Sequence, residues 1–168
     1  LPPAYSALLR EFNAASSDDL VGNDRESVRL IDRSQALFVE AESALVAGDP
    51  DLALDLTARV RATLADAEGL VDAVTDRLRL LREVRADPRA RVDAVRFRLR
   101  DAQLLAVNSG LAAEWGSALD GQMDRIERGA DRLTGTHPDY WAYVTDLDAV
   151  SSFVAGIVQR MRGQSATP

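Results

Sequence analysis

The chain has 168 residues, of which 46% are hydrophobic and 28% charged, and it contains no cysteine. This length and composition predict one globular domain with a sizeable core, and they exclude disorder, a disulfide framework, a thiolate nucleophile and a cysteine-ligated metal. The net charge of −7 argues against general affinity for nucleic acid, because neutralising phosphates requires a positive surface.

The basic residues are unusual, since all 20 are arginine, while aspartate outnumbers glutamate by 19 to 8. We interpret this bias as ancestry, typical of high-GC codon usage or a salt-adapted proteome. No apolar run reaches the roughly 18 residues that a membrane-spanning helix needs, and no signal-peptide pattern is visible. Because the chain begins at Leu1 without an initiator Met, we expect a soluble domain of a longer bacterial protein. That domain would be either cytoplasmic or the extracytoplasmic part of a membrane-anchored protein.

The first predicted arm covers residues 4–47, with a polar interruption at residues 16–19. Asn23 and Glu26 have the spacing of a capping box, which predicts a second helix start. One bent helix and two separate helices both fit this arm, and we favour a bent or broken one. The apolar spacing of the second part predicts a buried face at Val28, Ile31, Phe38, Ala41 and Leu45.

The second predicted arm is one long helix over residues 50–86. Asp49 is expected as its N-cap and Pro50 as its first residue, while Gly48 closes the preceding helix. Gly69 predicts a close helix crossing, with a hinge as the alternative. Apolar residues at alternating spacings of four and three predict a heptad seam at Val60, Leu64, Ala67, Val71, Val74, Leu78 and Leu81.

The third and fourth arms cover residues 88–134 and 138–162. Asp87 and Pro88 predict a second tight turn, with a Pro-kinked continuing helix as the alternative. The break at residues 108–110 makes the third arm either one kinked helix or two. Its predicted heptad positions are Val92, Val95, Leu99, Ala102 and Ala106.

The start and end of the fourth arm carry two further expectations. His137 is expected as a turn residue beside the N-cap, with an acid–base group or a pH-sensitive cap as the alternative. Of the aromatic residues near this start, at least one is expected to point outward, although core packing is favoured for the group: Tyr140, Trp141 and Tyr143. Residues 163–168 are small and polar and are expected to be disordered.

These elements predict an all-α fold, an antiparallel up-down helical bundle of four long arms comprising four to six helices, some of them kinked or broken. We expect a single domain over residues 1–168. With one histidine and no Glu-x-x-His motif, the sequence predicts no metal site and no cofactor. It also shows no organised nucleophile or base, so no catalytic residue is predicted.

The charge pattern gives the only candidate surface. Residues 77–100 contain nine arginines against three acids, a local charge of +6, whereas residues 40–55 contain five acids and no basic residue. The two segments lie at opposite ends of the long helix. The candidate surface for an anion or a partner consists of Arg77, Arg82, Arg85, Arg89, Arg91, Arg96 and Arg98.

Three functions compete for this pattern. The favoured one is a non-enzymatic module that binds another protein or itself through the arginine-rich turn. The alternative is a sensor-type domain that binds an anion there: a phospholipid head group of an anionic membrane, a carboxylate or a phosphate. The third is an enzyme that uses arginines and acids inside the bundle.

Overall fold

The computed structural model describes residues 2–135 and 138–165, and every regular element in these ranges is helical. The six α-helices are α1 (Pro2–Glu11), α2 (Asn23–Val46), α3 (Pro50–Ala86), α4 (Pro88–Asn108), α5 (Ala112–Ala130) and α6 (Tyr140–Ser165). Three short 3-10 turns lie at Ala14–Ser16, Asp18–Leu20 and Asp131–Leu133. The all-α prediction is confirmed, while the antiparallel up-down order of four arms stays a prediction.

The two Asp-Pro turns have the predicted caps. The Asp49 carboxylate accepts a hydrogen bond from the Leu52 amide at 3.0 Å, and Gly48 has a φ of 80°, as the turn that closes α2 requires. At the second turn, the Asp87 carboxylate accepts from the backbone amides of Arg89 and Ala90, each at 3.1 Å. α3 therefore begins and ends where the sequence predicts.

The first and third arms are both broken rather than bent. Two 3-10 turns separate α1 from α2, and α4 ends at Asn108 before α5 starts. At the second break Gly110 has a φ of 70°, and the Leu111 amide donates to the Ala106 carbonyl at 2.8 Å.

The predicted capping box at the start of α2 is wrong. Asn23 is the first helical residue and not the cap, because the left-handed Gly22 (φ 92°) precedes it. The Asn23 side-chain amide donates instead to the Leu70 carbonyl of α3 at 3.2 Å. The Glu26 carboxylate accepts from the Arg29 side chain at 2.8 Å.

The chain divides into two compact units. The first contains Leu1–Glu11 and Ser17–Arg79, and the second contains Phe12–Ser16 and Leu80–Pro168. α3 runs without a break from one unit into the other, since its last seven residues belong to the second. The single-domain organisation stays a prediction.

The core of the second unit is built where α4, α5 and α6 pack on one another. The five heptad positions predicted for α4 are all buried there. Leu119 and Ile126 of α5 meet them, and Val84 joins the same core from the end of α3. α6 contributes Tyr143, Val144, Leu147, Val150, Val154, Ile157 and Met161.

One core cluster of the first unit lies between α2 and α3 and contains mainly small side chains. Leu37, Ala41 and Ala44 of α2 pack against Ala53 and Leu56 of α3, with the half-buried Val60 beside them. Alanines at such a contact let two helices approach closely, because the distance between helix axes depends on the side chains between them.

The predicted seam of α3 is correct for most of its length but not at Leu64, whose side chain is 43% exposed. Thr63 is half-buried in its place, which keeps the three-and-four spacing between Val60 and Ala67. The close crossing expected at Gly69 is also wrong, since no described atom lies within 4 Å of where its Cβ would stand.

The last helix is longer than the sequence predicts. α6 continues to Ser165, so residues 163–165 of the expected disordered tail are helical. The rest of that tail, residues 166–168, lies outside the described residues, and so does His137.

Candidate interaction surface

Two seams run side by side along α2. The buried seam consists of Ser27, Leu30, Ser34, Leu37, Ala41 and Ala44, at alternating spacings of three and four. The second seam repeats this spacing one residue later, at Val28, Ile31, Gln35, Phe38, Glu42 and Leu45. Because one residue turns a helix by about 100°, the two seams lie on adjacent faces.

The buried seam contains two serines, whose hydroxyls are satisfied by their own helix. The Ser27 hydroxyl donates to the Asp24 carbonyl at 2.9 Å, and the Ser34 hydroxyl donates to the Ile31 carbonyl at 2.7 Å. A buried hydroxyl with such a partner avoids the cost of an unmet hydrogen bond. Serines and alanines can therefore share the buried face of α2 with Leu30 and Leu37, while Val28, Ile31, Phe38 and Leu45 stay exposed.

The second seam is exposed, and its apolar residues, together with the neighbouring exposed valines Val39 and Val46, form what we call the outer stripe of α2. The Phe38 side chain is 54% exposed, and Leu45 and Val46 are 62% and 91% exposed. Single exposed apolar residues are ordinary, but a row on one helix face is typical of an interaction surface. The outer stripe consists of Val28, Ile31, Phe38, Val39, Leu45 and Val46.

Polar and charged residues lie along the stripe. Gln35 and Glu42 are exposed within the seam itself, and Arg25 and Arg29 flank Val28 one turn of helix apart. Arg29 also forms an ion pair with Glu26 on its own helix, and this guanidinium holds the pKa of the Glu26 carboxyl below its usual range. The three arginines of α2 lie in its N-terminal half, where Asp24, Glu26 and Asp32 balance their charge, whereas Glu40 and Glu42 in the C-terminal half have no basic neighbour on this helix.

A shallow groove of about 510 Å³ borders the stripe where α2 and α3 meet. Val39 on α2 and Leu52 on α3 line it, with Arg59 at its edge. Leu52 is 47% exposed, so the apolar surface of the first unit extends from α2 onto the start of α3.

The seven arginines that the sequence singles out do not form one free surface. Arg77 belongs to the first unit and the other six belong to the second. Arg91 pairs with Asp148 at 2.8 Å, Arg98 donates to the Ser151 hydroxyl at 2.8 Å, and the Arg85 guanidinium lies 4.9 Å from the centre of the Phe12 ring. Arg96 lies 3.8 Å from Asp93 in a looser ion pair.

Arg77 is the most buried of these arginines, with 9% of its side chain exposed. It donates two hydrogen bonds to the Asp19 carboxylate, at 3.1 and 2.8 Å. These bonds hold the pKa of the Asp19 carboxyl below its usual range, against the opposing effect of its partial burial. Arg77 therefore joins α3 to the 3-10 turn at Asp18–Leu20, and its place in an anion or partner surface stays a prediction.

The aromatic residues around α6 are packed rather than displayed. Tyr143 is 2% exposed and its hydroxyl donates to the Pro88 carbonyl at 2.7 Å, and burial raises the pKa of this phenol. Tyr140 and Trp141 are half-buried against the same core, so none of the three points outward as an exposed anchor. Trp115 is half-buried too, and its indole donates to Gln164 at 3.2 Å.

A second charged cluster lies in the second unit, around an open cavity of about 690 Å³. Arg125 and Arg132 both approach the Asp146 carboxylate, at 3.8 and 3.6 Å, and Arg128 lines the same cavity. The neighbouring Asp131 balances part of this charge. The cluster therefore holds α6 against the end of α5 and carries only a small excess of positive charge.

Within residues 2–135 and 138–165, no three carboxylate or imidazole side chains stand close enough together to hold a metal ion. None of the described helices is both long enough and apolar enough to cross a bilayer.

The buried face that the sequence predicts for α2 is correct at Ala41 but wrong at Val28, Ile31, Phe38 and Leu45, which are exposed in the outer stripe. The two faces differ in their small residues, because the buried seam contains Ser27, Ser34, Ala41 and Ala44. Spacing alone does not show which seam is buried, since both seams have the same spacing. No family model, no curated protein and no solved structure matches this chain.

Proposed function

We propose that this chain is a non-enzymatic protein-interaction module that binds through the outer stripe of α2. The observation that carries the proposal is the row of six large apolar side chains left in solvent on one face of one helix. The exposed seam that runs through this stripe, including Gln35 and Glu42, has alternating spacings of three and four, as in the surfaces that amphipathic helices use to bind a partner.

Phe38 is the anchor that this proposal implies. It lies near the middle of the stripe, between Ile31 and Leu45, and more than half of its side chain is exposed. Aromatic side chains at the centre of an interface contribute most to binding, because the surrounding contacts keep water away from them. The proposal therefore places the interaction on α2 and not on the arginine-rich turn.

The anion-binding alternative stays a prediction about that turn. At least five of its seven arginines make contacts inside their own unit, which leaves less positive charge for a ligand. No contact in the described part of the chain favours this alternative over the apolar stripe.

Site-specific photo-crosslinking in cells tests the proposed function. A photoreactive amino acid at Gln35 lies in the stripe, and one at Asp72 on the exposed side of α3 serves as the control position. We expect crosslinked products from position 35 that disappear in the Phe38→Asp background and persist in the Phe97→Asp background. Equal crosslinking from positions 35 and 72, or none from either, would contradict the proposal.

A further inference from the structure

We infer that the partner of the outer stripe is a second copy of this chain, bound with the two α2 helices antiparallel. This inference rests on the proposed function and specifies its partner. Three observations support it: the area of the stripe, the position of Gln35 at its centre, and the distribution of charge along it.

The exposed area fits a dimer. The six side chains of the stripe leave on the order of 600 Å² of apolar surface in solvent, at the upper end of what a monomer shows in one patch. Two copies joined through this stripe would bury about twice that, roughly 1,200 Å², before any polar contact is counted. Specific, stable interfaces begin at about this size.

The spacing of the seam gives the register. In an antiparallel pair that crosses at Gln35, each Phe38 lies beside Ile31 of the second copy, and each Val28 lies level with Glu42 of the second copy. The two Gln35 amides then face each other across the two-fold axis, where each can donate to and accept from the other. A polar pair inside an apolar seam fixes register, because any shift leaves its amides without partners.

Charge selects the antiparallel orientation. It brings Glu42 of one copy level with Arg25 and Arg29 of the other, of which Arg29 also pairs with Glu26 of its own helix, so a glutamate lies near an arginine at both ends of the seam. A parallel pair would place the two Glu42 carboxylates against each other inside the interface. Repulsion between these like charges would destabilise the parallel arrangement.

The first experiment measures association by sedimentation equilibrium over a wide range of concentrations. We expect a dimer of twice the 18.2 kDa chain mass, and Phe38→Asp should weaken dimerisation by at least about thirtyfold, the effect of losing a central anchor. Phe97→Asp is the matched control, since Phe97 is 65% exposed on α4 and belongs to the second unit. A wild-type chain that stays monomeric at every concentration overturns the inference.

The second experiment determines whether the two α2 helices are antiparallel or parallel. Because the chain has no native cysteine, any disulfide must form between the introduced cysteines. Gln35→Cys should form a disulfide-linked dimer on mild oxidation. Val28→Cys mixed with Glu42→Cys should give the mixed dimer, while Val28→Cys alone should not couple, because a disulfide requires Cα atoms closer than about 7 Å. Efficient self-coupling of Val28→Cys overturns the antiparallel arrangement.

The two proposals fail in different ways. A monomer whose position 35 crosslinks to a different protein, in a manner that depends on Phe38, overturns the dimer and leaves the interaction module standing. A monomer without crosslinks overturns both. Far-UV circular dichroism of each variant confirms that its helices are intact, which the exposure of the substituted side chains leads us to expect.

Discussion

At the scale of single residues, the pair of Arg77 and Asp19 shows how one buried charge is used. The guanidinium is 9% exposed and its partner carboxylate is 55% exposed, so the ion pair sits at the boundary of the first unit. An unpaired buried guanidinium would be costly, and the two hydrogen bonds that Arg77 donates to the Asp19 carboxylate offset that cost. The pair therefore holds the 3-10 turn at Asp18–Leu20 against α3.

Asp19→Asn should lower the free energy of unfolding by about 1–2 kcal/mol at neutral pH. This is the lower part of the range for a hydrogen bond to a charged group, because Asp19 is more than half exposed to screening by water. Urea denaturation measures it. Asp18→Asn, at the exposed neighbouring position, is the control and should change stability little.

The stability difference between wild type and Asp19→Asn should also depend on pH. Arg77 lowers the pKa of Asp19 in the folded chain, so the stabilisation is fully present above the unfolded-state pKa near 4. It is lost as the pH falls through the lower folded-state pKa. The difference in stability between wild type and Asp19→Asn should therefore shrink below about pH 4. If this difference in stability stayed constant down to the lowest pH measured, the ionised Asp19 carboxylate would not be its cause.

At the scale of elements, the sequence predicts both ends of α3 because caps of the Asp-Pro type are local. The chemistry of Asp49-Pro50 and Asp87-Pro88 depends on residues within one turn, and both turns form as predicted. The buried face of α2 is a tertiary property. Both seams of α2 have helical spacing, so which of them is buried depends on how closely α3 can approach. The serines and alanines permit that approach, and the larger residues predicted for the core are left exposed.

The cap of α4 gives a prediction at this scale. Asp87→Ala should lower the free energy of unfolding by about 1 kcal/mol, because two backbone amides at the start of α4 lose their acceptor. Chemical denaturation measures it. Asp101→Ala removes a carboxylate from the exposed middle of the same helix and should be neutral or slightly stabilising, since alanine favours helix. Equal losses in both variants would show that general charge, and not capping, is responsible.

At the scale of the whole molecule, the open point is whether the two compact units unfold together. The sequence predicts one domain, and the continuous helix α3 gives that prediction a physical basis. Melting one half of a helix exposes the last turn of the other half, which then loses backbone hydrogen bonds. We therefore expect the loss of one unit to weaken the other.

The two tryptophans make this coupling measurable, because Trp115 and Trp141 both lie in the second unit. Their fluorescence follows that unit, while far-UV ellipticity follows all six helices. The Leu56→Ala variant weakens the first unit alone, since Leu56 is 4% exposed in the core between α2 and α3, and should cost about 2–5 kcal/mol. If the units are coupled, both signals shift to the same lower denaturant midpoint, at a fixed protein concentration that holds association constant. If only the ellipticity shifts and the fluorescence midpoint stays in place, the units are independent domains that share a helix.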